Sequence, residues 1–303
     1  MRIFILLFPL FLLALKNEPI TPIPQTIKYN KAKVLLGKEL FFDSSFSADG
    51  TISCASCHSP QYGGADPRIV SVGVYGKEGE IQSPTVYNSR YNFRQFWNGR
   101  AKNLEEQILG PTHNPVEMGM DKSRILLIIN SKYKSKFYNI YQKWHITFAM
   151  YQDAIATFER TLITPNCKFD KWLRGEGNLT KIEKDGYYNF KKLGCITCHN
   201  GINIGGNSFQ KIGVIHQARD REGDRYEVTH KSFDKYVYKV PTLRNITLTA
   251  PYFHNGITND LKQAIQSMAY YNLGLKLSEY QVESINAFLH TLTGQRPKTL
   301  DMK

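Results

Sequence analysis

Two copies of one short pattern constrain this chain more than any other feature. Cys54-Ala55-Ser56-Cys57-His58 and Cys195-Ile196-Thr197-Cys198-His199 both read C-x-x-C-H, with Cys54 and Cys195 lying 141 positions apart. In this pattern two thiols add to the vinyl groups of a haem, and the adjoining histidine ligates the iron. Zinc is the competing reading. A zinc site made from two C-x-x-C pairs usually spaces them ~15–20 residues apart and gives no reason for a histidine directly after each pair. The fifth cysteine, Cys167, leaves an odd number, which argues against a disulfide framework. Two covalently bound c-type haems are therefore expected.

The duplication runs well beyond those motifs. Pro84-Thr85-Val86-Tyr87-Asn88 and Pro241-Thr242-Leu243-Arg244-Asn245 stand 157 positions apart, and at the same offset Phe96, Asn98, Gly99, Leu104 and Ile108 meet Phe253, Asn255, Gly256, Leu261 and Ile265. Gly37-x-x-x-Phe41 and Gly186-x-x-x-Phe190 precede the two cysteine motifs, while Gly63-Gly64 and Gly205-Gly206 follow them in loops suited to close backbone approach. Helical spacing of apolar residues predicts helices over Lys31–Phe42, Ala154–Leu162, Thr180–Leu193, Leu261–Tyr271 and Ser278–Leu292. Thr180-x-x-Glu183 and Ser278-x-x-Gln281 read as capping boxes. Strand patterns are scarce. The expected fold is mainly α, with two cytochrome c-like haem domains related by internal duplication. Thr164-Pro165-Asn166 breaks the helical pattern and sets the boundary, giving domains 17–163 and 164–303 with Cys167 as a spare thiol.

Met1-Arg2 followed by the apolar run Ile3 to Leu15 and Lys16 has the form of a secretory signal over residues 1–16, either cleaved or retained as an N-terminal tether. Those 13 apolar residues rise only ~20 Å as a helix, short of the ~30 Å hydrocarbon core. An exported, periplasmic protein is expected. The formal charge is +13, and losing Arg2 and Lys16 leaves +11 without any run of five basic residues, so no nucleic acid is expected as a partner.

The position opposite each histidine decides what a haem can do: a methionine raises the potential and favours electron transfer, whereas an open or polar site admits peroxide. Met268 shares a helix face with Leu261 and Ile265, and spacing alone leaves it as either a ligand or a core residue. Its counterpart at the 157-residue offset is Pro111, which has no side-chain ligand to offer. The two sites should therefore differ.

From about Val34 to Gly294 the chain resembles the bacterial dihaem cytochrome c peroxidases, a family that also includes a relative oxidising the tryptophans of a partner protein. The resemblance rests on Phe96-Trp97-Asn98-Gly99-Arg100-Ala101, Leu104-Glu105-Glu106-Gln107, Asn114-Pro115-Val116-Glu117-Met118, Thr161-Leu162-Ile163-Thr164-Pro165-Asn166, Pro241-Thr242-Leu243-Arg244-Asn245 and Ala250-Pro251-Tyr252-Phe253-His254-Asn255-Gly256. It implies a low-potential peroxidatic haem on Cys54, Cys57 and His58, and a high-potential haem on Cys195, Cys198, His199 and Met268. It further implies that Glu117 and Gln107 face hydrogen peroxide and that Trp97 relays electrons between the haems. Without the resemblance, Glu117 would be a solvated loop carboxylate and Trp97 a core indole.

Two positions depart from the family pattern. Val74 stands where a histidine commonly caps the resting peroxidatic iron, leaving that iron open or capped by another group such as Tyr75. Gln82 stands where an asparagine holds an interdomain calcium, whose other family ligands correspond to the carbonyls of Thr249 and Pro251. The function expected is peroxide reduction with electrons from a small cytochrome c or copper protein, with a homodimer left open by the resemblance. The alternatives are a dihaem electron carrier without catalysis, kept alive by Met118 and Met120, and a haem oxidant of protein side chains, which Met268 disfavours.

Covalent attachment at both motifs is open to direct weighing. In protein made with a working cytochrome c maturation system, the intact mass should carry two haems, and Cys198→Ala should weaken retention of the second alone. A mass with zinc or with no covalent haem would refute the reading.

Overall fold

Side-chain caps set most of the helix starts. In the computed structural model, which describes residues 18–218 and 220–303, Asn30 accepts from Lys33 N at 3.1 Å, and Asn103 from Glu106 N at 2.9 Å. Both predicted capping boxes form, Thr180 with Glu183 and Ser278 with Gln281. In chain order the helices are α1 Lys31–Phe42, α2 Cys54–Cys57, α3 Leu104–His113, α4 Lys122–Ile128, α5 Lys134–Tyr141, α6 Phe148–Glu159, α7 Lys168–Leu173, α8 Lys181–Lys192, α9 Tyr226–Thr229, α10 Leu261–Met268 and α11 Glu279–His290. The sheet among the described residues is one short antiparallel ribbon, β1 Phe209–Lys211 against β2 Val237–Lys239, with Phe209 opposite Lys239. The molecule is thus mainly helical with little sheet. No described helix is long and apolar enough to cross a membrane, and the predicted signal over 1–16 lies outside the described residues.

Sequence periodicity placed α1 at its observed bounds but missed α2, α3, α4, α5, α7 and α9. Pro111 inside α3 interrupts the pattern, and the others are short. Helix α6 starts earlier than predicted, at Phe148. Beyond Met268, α10 loosens into a π-type turn over Ala269–Leu273 rather than continuing to Tyr271 as a regular helix.

Two apolar cores hold the helices. The first joins α1, α3 and α6 through Leu36, Leu40, Phe41, Ile108, Tyr151, Ile155 and Phe158; the second joins α7, α8 and α11 through Phe169, Tyr187, Phe190, Ile285, Phe288 and Leu289. Both contain a helix crossing at glycine. A Cβ on Gly37 would collide with the Ala154 carbonyl of α6, and one on Gly186 with the Ser284 carbonyl of α11, so only glycine lets these backbones approach so closely. The chain ends exchange sides. Ile20 packs in the second core, and Leu300 in the first, with Thr161 Oγ1 and Thr299 Oγ1 2.8 Å apart.

The Thr164 segment is a buried junction rather than an exposed linker. Its hydroxyl oxygen accepts from Asn88 Nδ2 at 2.8 Å and from Asn245 Nδ2 at 2.9 Å, the two asparagines that end the repeated P-T-x-x-N stretches. The Asn88 Oδ1 receives Thr164 N at 2.9 Å, and Asn245 Oδ1 receives Gly294 N at 3.0 Å. Both asparagines adopt left-handed backbone, with φ of 61° and 60°. Nearby, the buried pair Arg244 and Asp170, 2.9 Å apart, ties down the N-terminal segment, since Arg244 Nη2 donates to Thr21 O and Asp170 Oδ2 receives Ile23 N. Cys167, the expected spare thiol, caps α7 by accepting from Asp170 N at 3.3 Å.

Thr164→Val keeps the shape of the junction but strands both asparagine amides. Each stranded donor should cost about 1–3 kcal/mol, which calorimetry should register as a melting temperature lower by several degrees. An unchanged melting temperature would show that the junction is not needed.

Candidate active site

Each cysteine motif lies on the wall of its own cavity, and each cavity, counted with its solvent-open mouth, spans about 1800 Å³. Cys54–Cys57 form the single turn of α2, stopped by the non-helical backbone of His58. The second motif forms a 3-10 turn over Cys195–Thr197, entered through Gly194 at φ 97°. Gly205 then presses against Pro241, where a Cβ would collide with the Pro241 carbonyl, so this loop glycine serves packing onto the P-T-L-R-N stretch.

The donor sets suit haem. Burial pushes His58 down and His199 down to about 4, holding both imidazoles neutral, the form that ligates iron. Burial pushes the Cys54 thiol up, and the Cys195 thiol up to about 11, the opposite of an activated redox cysteine. All five cysteines are free, and Cys54 and Cys57 line a different cavity from Cys195 and Cys198. Among the described residues no cluster of three or more His, Cys, Asp or Glu is arranged to hold a metal ion, so the zinc alternative finds no support.

The two cavities differ in lining. Met268, Leu261 and Ile265 share the wall bearing His199, as their common helix face predicted. Around His58 the wall carries Pro111, Gln107, Glu117 and Arg100. Asn114 Nδ2 donates to Glu117 Oε1 at 2.7 Å and fixes the carboxylate within a tight turn. Desolvation raises the Glu117 carboxyl, against the lowering effects of the Asn114 hydrogen bond and the Arg100 charge. Met118 borders both this cavity and the first core, whereas Met120 is buried in the core.

Trp97 belongs to both walls. Its indole Nε1 donates to Gln82 O at 2.9 Å, its carbonyl receives Lys239 N at 2.7 Å, and its ring meets Tyr238 edge-on with centroids 6.4 Å apart. Gln82 also lines both cavities and reaches the Asp66 carbonyl through Nε2; Thr249 and Pro251 share the C-terminal wall with it. Sequence reading missed three further wall residues, Arg100, Glu159 and Lys239. Burial pushes Glu159 up to about 8 and Lys239 down to about 8. Arg100 stands in the quoted Phe96–Ala101 stretch, where no role was read for it; nothing in the local sequence marks Glu159 or Lys239, because their burial comes from distant packing.

The segment bearing Val74 docks on the Glu117 turn: Val74 N donates to Glu117 O at 2.9 Å, and Val74 is fully buried. Tyr75, with φ 59°, is 67% exposed and anchored through its backbone N to Asp49 Oδ2 at 2.7 Å; it is not part of either cavity wall.

These cavities belong to a known class of haem enzyme. Residues 31–178 match the family model of the di-haem cytochrome c peroxidases. The chain is 44% identical over 286 residues to the cytochrome c551 peroxidase of Nitrosomonas europaea, covering 93% of this chain and 86% of that protein. It is also 44% identical over 288 residues to the cytochrome c peroxidase of Escherichia coli, covering 92% of this chain and 62% of that longer protein. In structure it resembles a MauG-like protein associated with microbial copper homeostasis, with a TM-score of 0.81 at 25% identity over 94% of this chain and 97% of that one. The chain belongs to the di-haem cytochrome c peroxidase family and is a peroxidase with haem as cofactor.

With Val74 in the core and Tyr75 at the surface, the oxidised two-haem enzyme should bind cyanide at the N-terminal site without prior reduction, because no ligand must first leave. Optical titration checks this. Binding only after one-electron reduction would show that another group caps the site.

Proposed function

We propose that the chain reduces hydrogen peroxide in the N-terminal cavity, using electrons accepted in the C-terminal cavity and passed through Trp97. The carrying observation is a desolvated carboxylate, Glu117, on the wall that holds Cys54, Cys57 and His58, while the methionine lies on the other wall. Bound haem would supply an iron at each site, for peroxide reduction in the N-terminal cavity and for one-electron transfer in the C-terminal one. Cys54 and Cys57 would hold one haem and Cys195 and Cys198 the other by covalent thioether bonds, with His58 and His199 as iron ligands and Met268 as the second ligand of the C-terminal iron.

Hydrogen peroxide, two electrons and two protons give two waters. Glu117 takes the proton of the near oxygen and returns it to the leaving oxygen, while Gln107 orients the peroxide with its amide. The Asn114 bond leaves Glu117 one oxygen for this transfer, and Arg100 favours its ionised form. Trp97 suits the relay because it borders both cavities and is held at its indole nitrogen and its carbonyl.

The two haem modules, which we assign to residues 17–163 and 164–303, arose by internal duplication. Matching left-handed asparagines and matching bridges, Gln95 with Ala101 and Tyr252 with Thr258, support this. The reading includes a calcium ion between them, supported by the Gln82 amide oxygen and the Thr249 and Pro251 carbonyls, which accept no hydrogen bond among the described residues and belong to residues lining one cavity, an all-oxygen set suited to a hard cation. The protein works in the periplasm, exported or tethered by residues 1–16. Its donor is a small cytochrome c or copper protein, and four propionates would bring the mature charge to about +7, favouring an acidic or dipolar partner. A homodimer accords with the family resemblance.

The pH profile tests the role of Glu117. The base is active when ionised and its folded pKa is raised, so activity should fall as pH drops through a value above the ordinary glutamate range. Glu117→Gln should lower kcat/KM for peroxide about 10²–10⁴-fold and abolish that acid limb, with both haems retained. Wild-type turnover in the variant would refute the assignment.

A further inference from the structure

Lys239 ends β2 and is only 5% exposed. It lines the C-terminal cavity, whose wall is chiefly apolar and includes Leu261, Ile265 and Met268. Its ammonium has no hydrogen-bond or ion-pair partner among the described residues, whereas the buried guanidinium of Arg244 is matched by Asp170. Burying an unpaired charge is costly, so a lysine in such a place needs an anion that the polypeptide does not supply. Burial is the sole cause of its lowered pKa, which agrees with the missing counter-ion. The backbone fixes its position: Lys239 N donates to Trp97 O at 2.7 Å, and Lys239 faces Phe209 across the ribbon.

We propose that Lys239 is a carboxylate anchor within the C-terminal cavity, pairing with a propionate of the haem held by Cys195, Cys198 and His199. This rests on the dihaem reading above. The pairing fixes that haem's orientation beside Trp97 and raises its reduction potential, because a positive charge next to the macrocycle favours the reduced state. Lys239 is a positioning residue: it touches the cofactor's acidic edge and leaves the iron ligands to other side chains.

The test uses holoenzyme whose two covalent haems have been confirmed by mass. Lys239→Met should shift the midpoint potential of the C-terminal haem downward in a spectroelectrochemical titration, and Lys239→Arg should hold it near the wild-type value. An unchanged potential in Lys239→Met overturns the proposal. Should that variant fail to accumulate with both haems, Lys239→Gln is judged by the same criterion. Should neither load, wild-type protein labelled with ¹⁵N-lysine decides: the Lys239 Nζ resonance should carry the shift of a nucleus at a haem edge, and a bulk-like resonance overturns the proposal. A missing haem at Cys195 and Cys198 in the wild type would instead refute the dihaem reading, so the two failures are distinguishable.

Discussion

One hydroxyl stands where the two halves of the chain meet. Thr164 Oγ1 accepts from Asn88 and Asn245, each of which closes a P-T-x-x-N stretch beside a cysteine-bearing loop. Amide donors left unpaired in a protein interior are expensive, so both stretches are held to a common point. Their upstream ends are held as well: Gly205 packs on Pro241, and Val86 N bonds to Gly64 O at 2.9 Å. The positions of the two cavities therefore follow from this junction and from the glycine crossings of α1 with α6 and α8 with α11, more than from the cysteine turns themselves.

On that common frame the chemistry diverges through a few side chains. At the 157-residue offset Met268 faces Pro111, and the proline leaves the N-terminal wall without a thioether where the C-terminal wall has one. The turn after Pro111 supplies Glu117 instead, held by Asn114 and covered by the Val74 segment. One wall thus offers a desolvated acid-base group and the other a soft sulfur donor, the contrast that separates peroxide chemistry from electron transfer.

How much could be read beforehand follows from the range of the interactions. The cysteine motifs, the capping boxes at Thr180 and Ser278 and the regular helix α1 are local signals and were legible. Helix α3 was not, because Pro111 breaks its apolar period, although Asn103 followed by Glu106 was a usable start signal. The Thr164 segment reads locally as a break. Its burial depends on two asparagines lying 76 and 81 positions away, which no local pattern reveals. Lys239 was hidden for the same reason, since a lysine in a short strand gives no sign that distant helices will cover it.

The same long-range packing accounts for the rigidity around Trp97. Its indole is fixed to Gln82 O, Gln82 N is fixed to His254 O at 2.8 Å, and His254 Nε2 lies 3.1 Å from the Tyr238 hydroxyl, so segments of both halves form one connected set around the ring. The next residue, Lys239, returns to Trp97 through its backbone N. A group that relays electrons gains from changing its surroundings little between charge states, and a buried ring bonded at several points meets that requirement better than a mobile one. On the proposed reading, the hydrogen bonds that join the two halves also hold the electron path in place, so loosening the junction would disturb transfer before it exposed either cavity.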